Sequence, residues 1–344
     1  MKTPKESTAG PRQAFGPAGH PPGRHPRLVT LEEIRAARER IRGVAIRTPL
    51  LPVKSSERAE VYVKCENLQK TGSFKIRGAY NKIASLEGPR GVVAHSSGNH
   101  AQAVALAAKL LGVRATVVML DSSVPHKVEG TRAYGAEVVF GGPTSEAIRK
   151  RAEDIARERG WELVRPFDDP RIVEGTGTIG LEILEEMPGV RAVLVPVGGG
   201  GLVSGIATAL KETDPSILVV GVEPEGAPKM YRSRKRGRLV RLREARTVAD
   251  GLKPVRGGEL TFAHIQRYVD DLVLVSDEEI METACFLLEK EKLVVEPSGA
   301  AALAAVRHRK VELPAGPAVA VLSGGNADIR RILDWAAGHE AGKP

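Results

Sequence analysis

Apolar and polar positions along the chain alternate in two rhythms. Over residues 31–41 the apolar positions recur at helical spacing, with Thr30 placed as an N-cap and Glu33 as its capping-box partner. Residues 74–86 and 101–111 read as further helices. Between them lie short apolar runs of strand length at 61–63, 91–95, 115–119, 137–140, 192–197, 219–222 and 318–322. The last three are almost uninterrupted Val, Leu and Ala, the composition of strands buried on both faces. Strand and helix in regular alternation predict an α/β fold of parallel sheets covered by helices. No repeat and no linker composition divides the chain, so two domains here would be interleaved. Residues 1–27 are rich in Pro, Gly and His without any apolar rhythm and read as a disordered tail.

Composition narrows this picture. A chain of 344 residues suits two domains or one large α/β unit. Residues 192–210 carry no charge over nearly a membrane-spanning length, but Pro196 and four consecutive glycines would break a helix there. A strand, a glycine turn and a helix start fit better, so no membrane association is expected. The N-terminus shows no apolar core of the kind that directs export. Cys65 and Cys285 are the only cysteines, too few for a disulfide framework and without zinc-ligand spacing. A cytoplasmic location follows as the expectation. The net charge of +9 is concentrated in two places. Residues 1–30 hold a surplus of four, and residues 229–246 hold nine basic residues against Glu244. No aromatic is interleaved through 232–246 to stack bases, so the run reads as a solvated face and no nucleic-acid partner is expected.

The chemistry gathers at strand ends. The run 192–197 is followed by Gly198, Gly199, Gly200 and Gly201, then by a helix opening at Leu202. Four glycines let backbone N–H groups converge ahead of a positive helix terminus, which makes a phosphate cradle. The register is not that of a dinucleotide fingerprint, since Ser204 stands where a third glycine belongs, and no P-loop motif occurs. Ser96, Ser97, Gly98, Asn99 and His100 likewise follow a strand and open a helix, offering hydroxyls, an amide and free N–H groups to a carboxylate. Ser323-Gly324-Gly325-Asn326 ends a third strand. Lys75, in Ser73-Phe74-Lys75-Ile76-Arg77-Gly78, lacks a charge partner at helical spacing, which is unusual for a solvated lysine.

Taken together, in order and spacing over residues 30–335, these motifs resemble the pyridoxal-phosphate enzymes of fold type II, within them the threonine dehydratase and serine racemase branch. Lys64-Cys65-Glu66-Asn67-Leu68-Gln69-Lys70-Thr71-Gly72, Val248-Ala249-Asp250-Gly251 and Glu296-Pro297-Ser298-Gly299-Ala300 extend the likeness. The resemblance implies two interleaved open twisted sheets of the tryptophan synthase β type. It implies a large cofactor-binding domain of residues 28–87 and 166–338, with a small domain, 88–165, inserted in it. Lys75 would hold the pyridoxal 5′-phosphate aldehyde as a Schiff base and then serve as base toward the substrate α-proton. Gly198 to Gly201 and Leu202 would bind the phosphate, Phe74 and Gly251 would sandwich the ring, and Asn99 would bond its 3′ oxygen. Ser96, Ser97, Gly98, Asn99 and His100 would take the substrate.

Ser323 would face the pyridine nitrogen. A neutral hydroxyl there leaves the ring a weaker electron sink than a carboxylate would, which favours loss of a β-hydroxyl over transamination. The implied reaction is dehydration and deamination of L-threonine, and of L-serine, to a 2-oxo acid and ammonia. Serine racemisation, with Ser97 serving the opposite face of the ring, and 3-hydroxyaspartate dehydration are rivals within the branch. A cysteine-synthase-like enzyme shares the lysine and the glycine turn, but its asparagine loop usually starts with threonine. Many relatives bind a divalent cation near residues 222–229. Glu223 matches their first acid, but Lys229 stands in place of the second, so no metal site is expected. The short stretch beyond Asn326 suggests a catabolic-type enzyme without a regulatory domain, and relatives are homodimers or homotetramers.

Overall fold

The structure is a computed structural model and describes residues 26–53 and 60–340. Most of the expected tail, residues 1–25, lies outside the described residues. The chain opens on α1 (Leu31–Arg40), capped as expected: Thr30 Oγ1 accepts from the Glu33 N–H and Glu33 Oε2 accepts from the Thr30 N–H. Two sheets follow. The larger runs in the order β1 (Leu50–Val53), β2 (Val61–Lys64), β10 (Ala318–Val321), β7 (Ala192–Pro196), β8 (Leu218–Pro224), β9 (Asp271–Val275). Only the β1–β2 pair is antiparallel. The smaller is all parallel, in the order β5 (Glu137–Phe140), β4 (Ala115–Met119), β3 (Val92–His95), β6 (Glu162–Leu163).

Burial on both faces explains the unbroken apolar strands. In β7, Leu194 packs into one cluster with helices α10 (Asp277–Glu289) and α11 (Pro297–Arg307), while Val193 and Val195 pack into another with α6 (Pro170–Glu186), α7 (Gly201–Lys211) and α9 (Glu259–Tyr268). β10 divides the same way, Ala320 to the first and Val319 and Val321 to the second. The smaller sheet lies between α2 (Lys75–Ala84), α3 (Asn99–Leu110) and α4 (Pro125–Ala133) on one face and α5 (Ser145–Arg159) on the other. α8 (Lys229–Arg236) and α12 (Ile329–Glu340) complete the fold, and no described helix is long and apolar enough to cross a membrane. The uncharged stretch at 192–210 is β7, a glycine turn and most of α7.

Two features hold α2 in place. Arg77, 1% exposed, sends Nε and Nη2 to the two oxygens of Glu66 at 2.9 and 2.8 Å and Nη1 to Glu182 at 2.6 Å. Lys64 joins through its own ion pairs to Glu182 and Glu186, each 2.9 Å. Burial works against the Arg77 charge, but Glu66 and Glu182 outweigh it and raise its pKa. The second feature is backbone contact between helices: a Cβ at Gly175 of α6 would lie 2.5 Å from the Arg77 carbonyl oxygen. One at Gly205 of α7 would overlap the Val173 carbonyl and the Gly177 N–H. Alanine is the better helix former by about 1 kcal/mol, yet Gly205→Ala is expected to lower stability by about 2 kcal/mol because these helices have no room to part. A lower urea midpoint with unchanged slope is the expected result, and an unchanged midpoint would contradict the close packing.

Candidate active site

The motifs meet at the carboxyl ends of β7, β10 and β3. After β7 the chain turns through Val197, Gly198, Gly199 and Gly200 into α7, with Gly200 at φ +98°, a conformation suited to glycine. Each neighbour leaves room only for backbone. A Cβ at Gly198 would lie 2.6 Å from the Gly251 carbonyl, and one at Gly199 would overlap the Phe167 ring. Thr261 Oγ1 donates to the Gly199 carbonyl at 2.8 Å, which fixes the turn. The first N–H groups of α7, from Gly201 and Leu202 onward, have no carbonyl one turn back and point out of the helix end. Leu202 is itself 5% exposed.

Lys75 stands at the start of α2, one residue later than the helix start expected from sequence. The chain ahead of it is docked on the end of β10: Ser73 bridges Gly324, the Phe74 N–H donates to the Ser323 carbonyl at 3.2 Å, and the Gly325 N–H to Gly72 at 2.8 Å. Lys75 Nζ donates to the Pro166 carbonyl at 2.8 Å and lies 4.9 Å from the Phe74 ring centre. Phe167, next in the chain, is the ring that covers Gly199, so residues 166–167 join the amine to the glycine turn. Burial pulls the Lys75 pKa down to about 8 against the opposing pull of Glu296. The Ser323 hydroxyl has no partner among the described residues, and its residue is 5% exposed.

The third wall follows β3. Helix α3 starts at Asn99, two residues earlier than expected, with Gly98 as its N-cap at φ −145° and ψ −138°. Asn99 and His100 therefore present first-turn N–H groups. Ser96 Oγ accepts from the Gly98 N–H at 3.2 Å. Ser97 Oγ accepts from the Leu120 N–H at 2.9 Å and lies 2.7 Å from Ser123 Oγ, tying this turn to the end of β4. The Asn99 amide donates to Glu296 Oε1 at 2.7 Å and accepts from Asn326 Nδ2 at 2.8 Å. The His100 imidazole is turned inward, Nε2 against the Val164 carbonyl at 3.0 Å, and burial, with Lys75 adding to it, drives its pKa down to about 3. His100 thus offers its backbone to this wall, while its ring packs inside.

Four further residues belong to the constellation. Glu296 faces both Asn99 and Lys75, and burial raises its pKa against the Asn99 hydrogen bond. Ser298 Oγ accepts from the Gly251 N–H at 2.8 Å and so positions the residue opposite Gly198. Asn326 clamps Asn99 to the Thr71 carbonyl, and Asp168 Oδ1 accepts from the first turn of α9, which carries Thr261. The runs 296–300 and 323–326 marked three of these in the sequence, but their partners lie in other segments, 47 residues away for Ser298 and about two hundred or more for Glu296 and Asn326. Among the described residues no cluster of His, Cys, Asp or Glu could hold a metal ion.

A family pattern described as pyridoxal-phosphate dependent enzyme matches residues 41–324. An L-threonine ammonia-lyase of Thermotoga maritima is 45% identical over 311 residues, covering 89% of this chain and 77% of the relative. Among solved structures, a T.th. threonine deaminase has 46% identity and a TM-score of 0.83 over 87% of this chain and 99% of that one. Maize serine racemase has 35% identity and a TM-score of 0.86 over 92% and 99%.

The amine of Lys75 makes a direct test of the site possible. In ligand-free protein, carbamylation of Lys75 is expected to rise with a midpoint near pH 8, protonated below and free above, while exposed lysines follow some two units later. Glu296→Gln removes the group that opposes the drop, so the midpoint should fall further. Peptide mass spectrometry across pH reads both, and a native midpoint with the exposed lysines would contradict the assigned environment.

Proposed function

The chain belongs to the pyridoxal-phosphate-dependent enzymes, and on that premise we propose that it is an L-threonine ammonia-lyase that also accepts L-serine. The residues suit the cofactor. The glycine turn accepts only backbone on its protein side and directs N–H groups outward at the positive end of α7, as an anionic phosphate requires. Lys75 offers an amine whose pKa is lowered to about 8, Phe74 and Gly251 flank the space, and Ser323 brings a hydroxyl without a partner among the described residues. Bound there, pyridoxal phosphate supplies an electron sink beside the substrate α-carbon.

Each residue then has a task. Gly198, Gly199, Gly200, Gly201 and Leu202 hold the phosphate through main-chain N–H groups. Ser96, Gly98, Asn99 and the His100 N–H receive the substrate carboxylate at the start of α3, where the helix dipole favours an anion. Lys75 Nζ would hold the cofactor and would take the proton from the substrate α-carbon. The β-hydroxyl would then leave as water with the proton that Lys75 Nζ took from the α-carbon, and hydrolysis of the released enamine would give 2-oxobutanoate from threonine, or pyruvate from serine, with ammonia.

The observation that carries the choice of reaction is the side chain at 323. A hydroxyl cannot supply the proton or the negative charge that a carboxylate would place at the ring nitrogen, so prolonged carbanion chemistry is disfavoured and β-loss wins. Racemisation needs a second proton carrier on the opposite face. Ser97 is the candidate, but its hydroxyl is engaged by the Leu120 N–H and Ser123, which supports a loop-holding task instead. The reducing cytosol suits two buried unpaired cysteines, and the assembly is taken to be a homodimer or homotetramer.

Holoenzyme incubated in parallel with L-threonine, L-serine and 3-hydroxyaspartate is expected to release 2-oxo acid fastest from threonine, with little D-serine formed. Lys75→Ala should remove the visible absorbance of the bound cofactor and reduce turnover by about three or more orders of magnitude. Fast D-serine formation with little 2-oxo acid would overturn the reading in favour of racemisation.

A further inference from the structure

Lys229 was counted with the basic run, yet it is 0% exposed, as is Glu223 beside it. Its Nζ lies 2.9 Å from Glu223 Oε1, 2.8 Å from the Val197 carbonyl, 3.1 Å from that of Leu252 and 3.3 Å from that of Ala227. All four neighbours are oxygens that accept. Glu223 accepts on both oxygens, Oε1 from the Met230 N–H at 3.0 Å and Oε2 from the Tyr231 N–H at 2.8 Å. A neutral amine would turn a lone pair toward one of these oxygens, whereas an ammonium offers a donor to each of three. Burial lowers its pKa and Glu223 opposes the drop.

The three carbonyls are not scattered. Val197 leads directly into Gly198, and Leu252 follows Gly251, whose carbonyl is the atom that crowds Gly198. Ala227 stands just before α8, whose first turn holds Met230, and the Met230 methyl lies 3.1 Å from where a Gly200 Cβ would be. One buried charge thus grips the segment that leads into the glycine turn and the segment that follows Gly251.

We infer that Lys229 is a covalently built-in cation that positions the glycine turn and Gly251, so that cofactor affinity needs no added metal or monovalent ion. The inference rests on the reading that residues 198–201 hold the cofactor phosphate. Lys229 touches neither cofactor nor substrate and acts through the backbone it holds. Shortening the side chain uncovers a cage of one carboxylate and three carbonyls, the ligand set that a hard cation prefers.

The test measures cofactor dissociation by absorbance titration and the melting temperature of cofactor-free protein. Both are read in tetramethylammonium buffer and after adding ammonium, potassium or calcium ions. The native protein should vary less than about twofold in affinity among these buffers, while Lys229→Ala should bind about tenfold or more weaker in tetramethylammonium and recover most of the loss with ammonium or potassium. Lys229→Asp, with a second carboxylate, should recover with calcium and gain melting temperature from it. Should Lys229→Ala not fold, the native and Lys229→Asp arms still decide. Native affinity in Lys229→Ala, a loss that no ion restores in either variant, or a native protein that itself needs an added ion would each overturn the inference. Gly199→Ala separates it from its premise: native affinity in that variant condemns the phosphate reading and not the part played by Lys229.

Discussion

Everything on the amine side of this molecule depends on the buried guanidinium of Arg77. It sits two residues beyond Lys75 in the first turn of α2, and its donors reach Glu66 beside β2 and Glu182 on α6. Removing the guanidinium would leave the buried Glu66 carboxylate without its ion-pair partner, which in buried pairs costs about 3–5 kcal/mol. An apolar trio of equal volume would hold the helices as firmly but not in one orientation, because apolar contacts slide where a forked ion pair does not. The benefit therefore lies in direction: the first turn of α2 is aimed, and Lys75 with it.

A half-buried lysine and a fully buried one show how differently one side chain can be set. Lys75 has a single carbonyl at Nζ and a carboxylate that only opposes the desolvation, so its proton is loosely held. Lys229 has a carboxylate in contact and three carbonyls around it, so its charge is matched on every side. On the proposed function the first is a reagent, and on the inference above the second is a fastening. The number of acceptors at Nζ separates them.

That distinction also marks what could be read from sequence. The strands buried on both faces announced themselves through unbroken Val, Leu and Ala, and the motifs at their ends were visible as turns rich in glycine and serine. The short edge strands β1 and β6 escaped because two to four residues carry no rhythm. β9 carries the same unbroken Leu and Val, from Leu272 to Val275 behind Asp271, and is missing from the sequence reading without a physical reason. Asn99 and His100 were placed ahead of their helix because polar residues at a helix start look like loop, and only the backbone angles of Gly98 show where the helix begins. Lys229 was lost in the charge of its neighbours, since nothing local separates a lysine facing water from one facing Glu223. Glu296, Ser298 and Asn326 lay within motifs already singled out, but their work is done on residues from distant segments that sequence order keeps apart.

The contact of backbone on backbone among α2, α6 and α7 has a bearing on what descendants of this protein can become. Lys75 opens α2, Gly201 opens α7, and α6 lies against both with glycines at the crossings. The span from amine to glycine turn is therefore gauged by main chain, and no exchange of side chains can lengthen it. The wall at residues 96–100 is gauged by hydroxyls and amides, which can be traded one at a time. A lineage built on this frame keeps the Lys75 amine and the glycine turn at one spacing, whatever is traded at the wall that faces them.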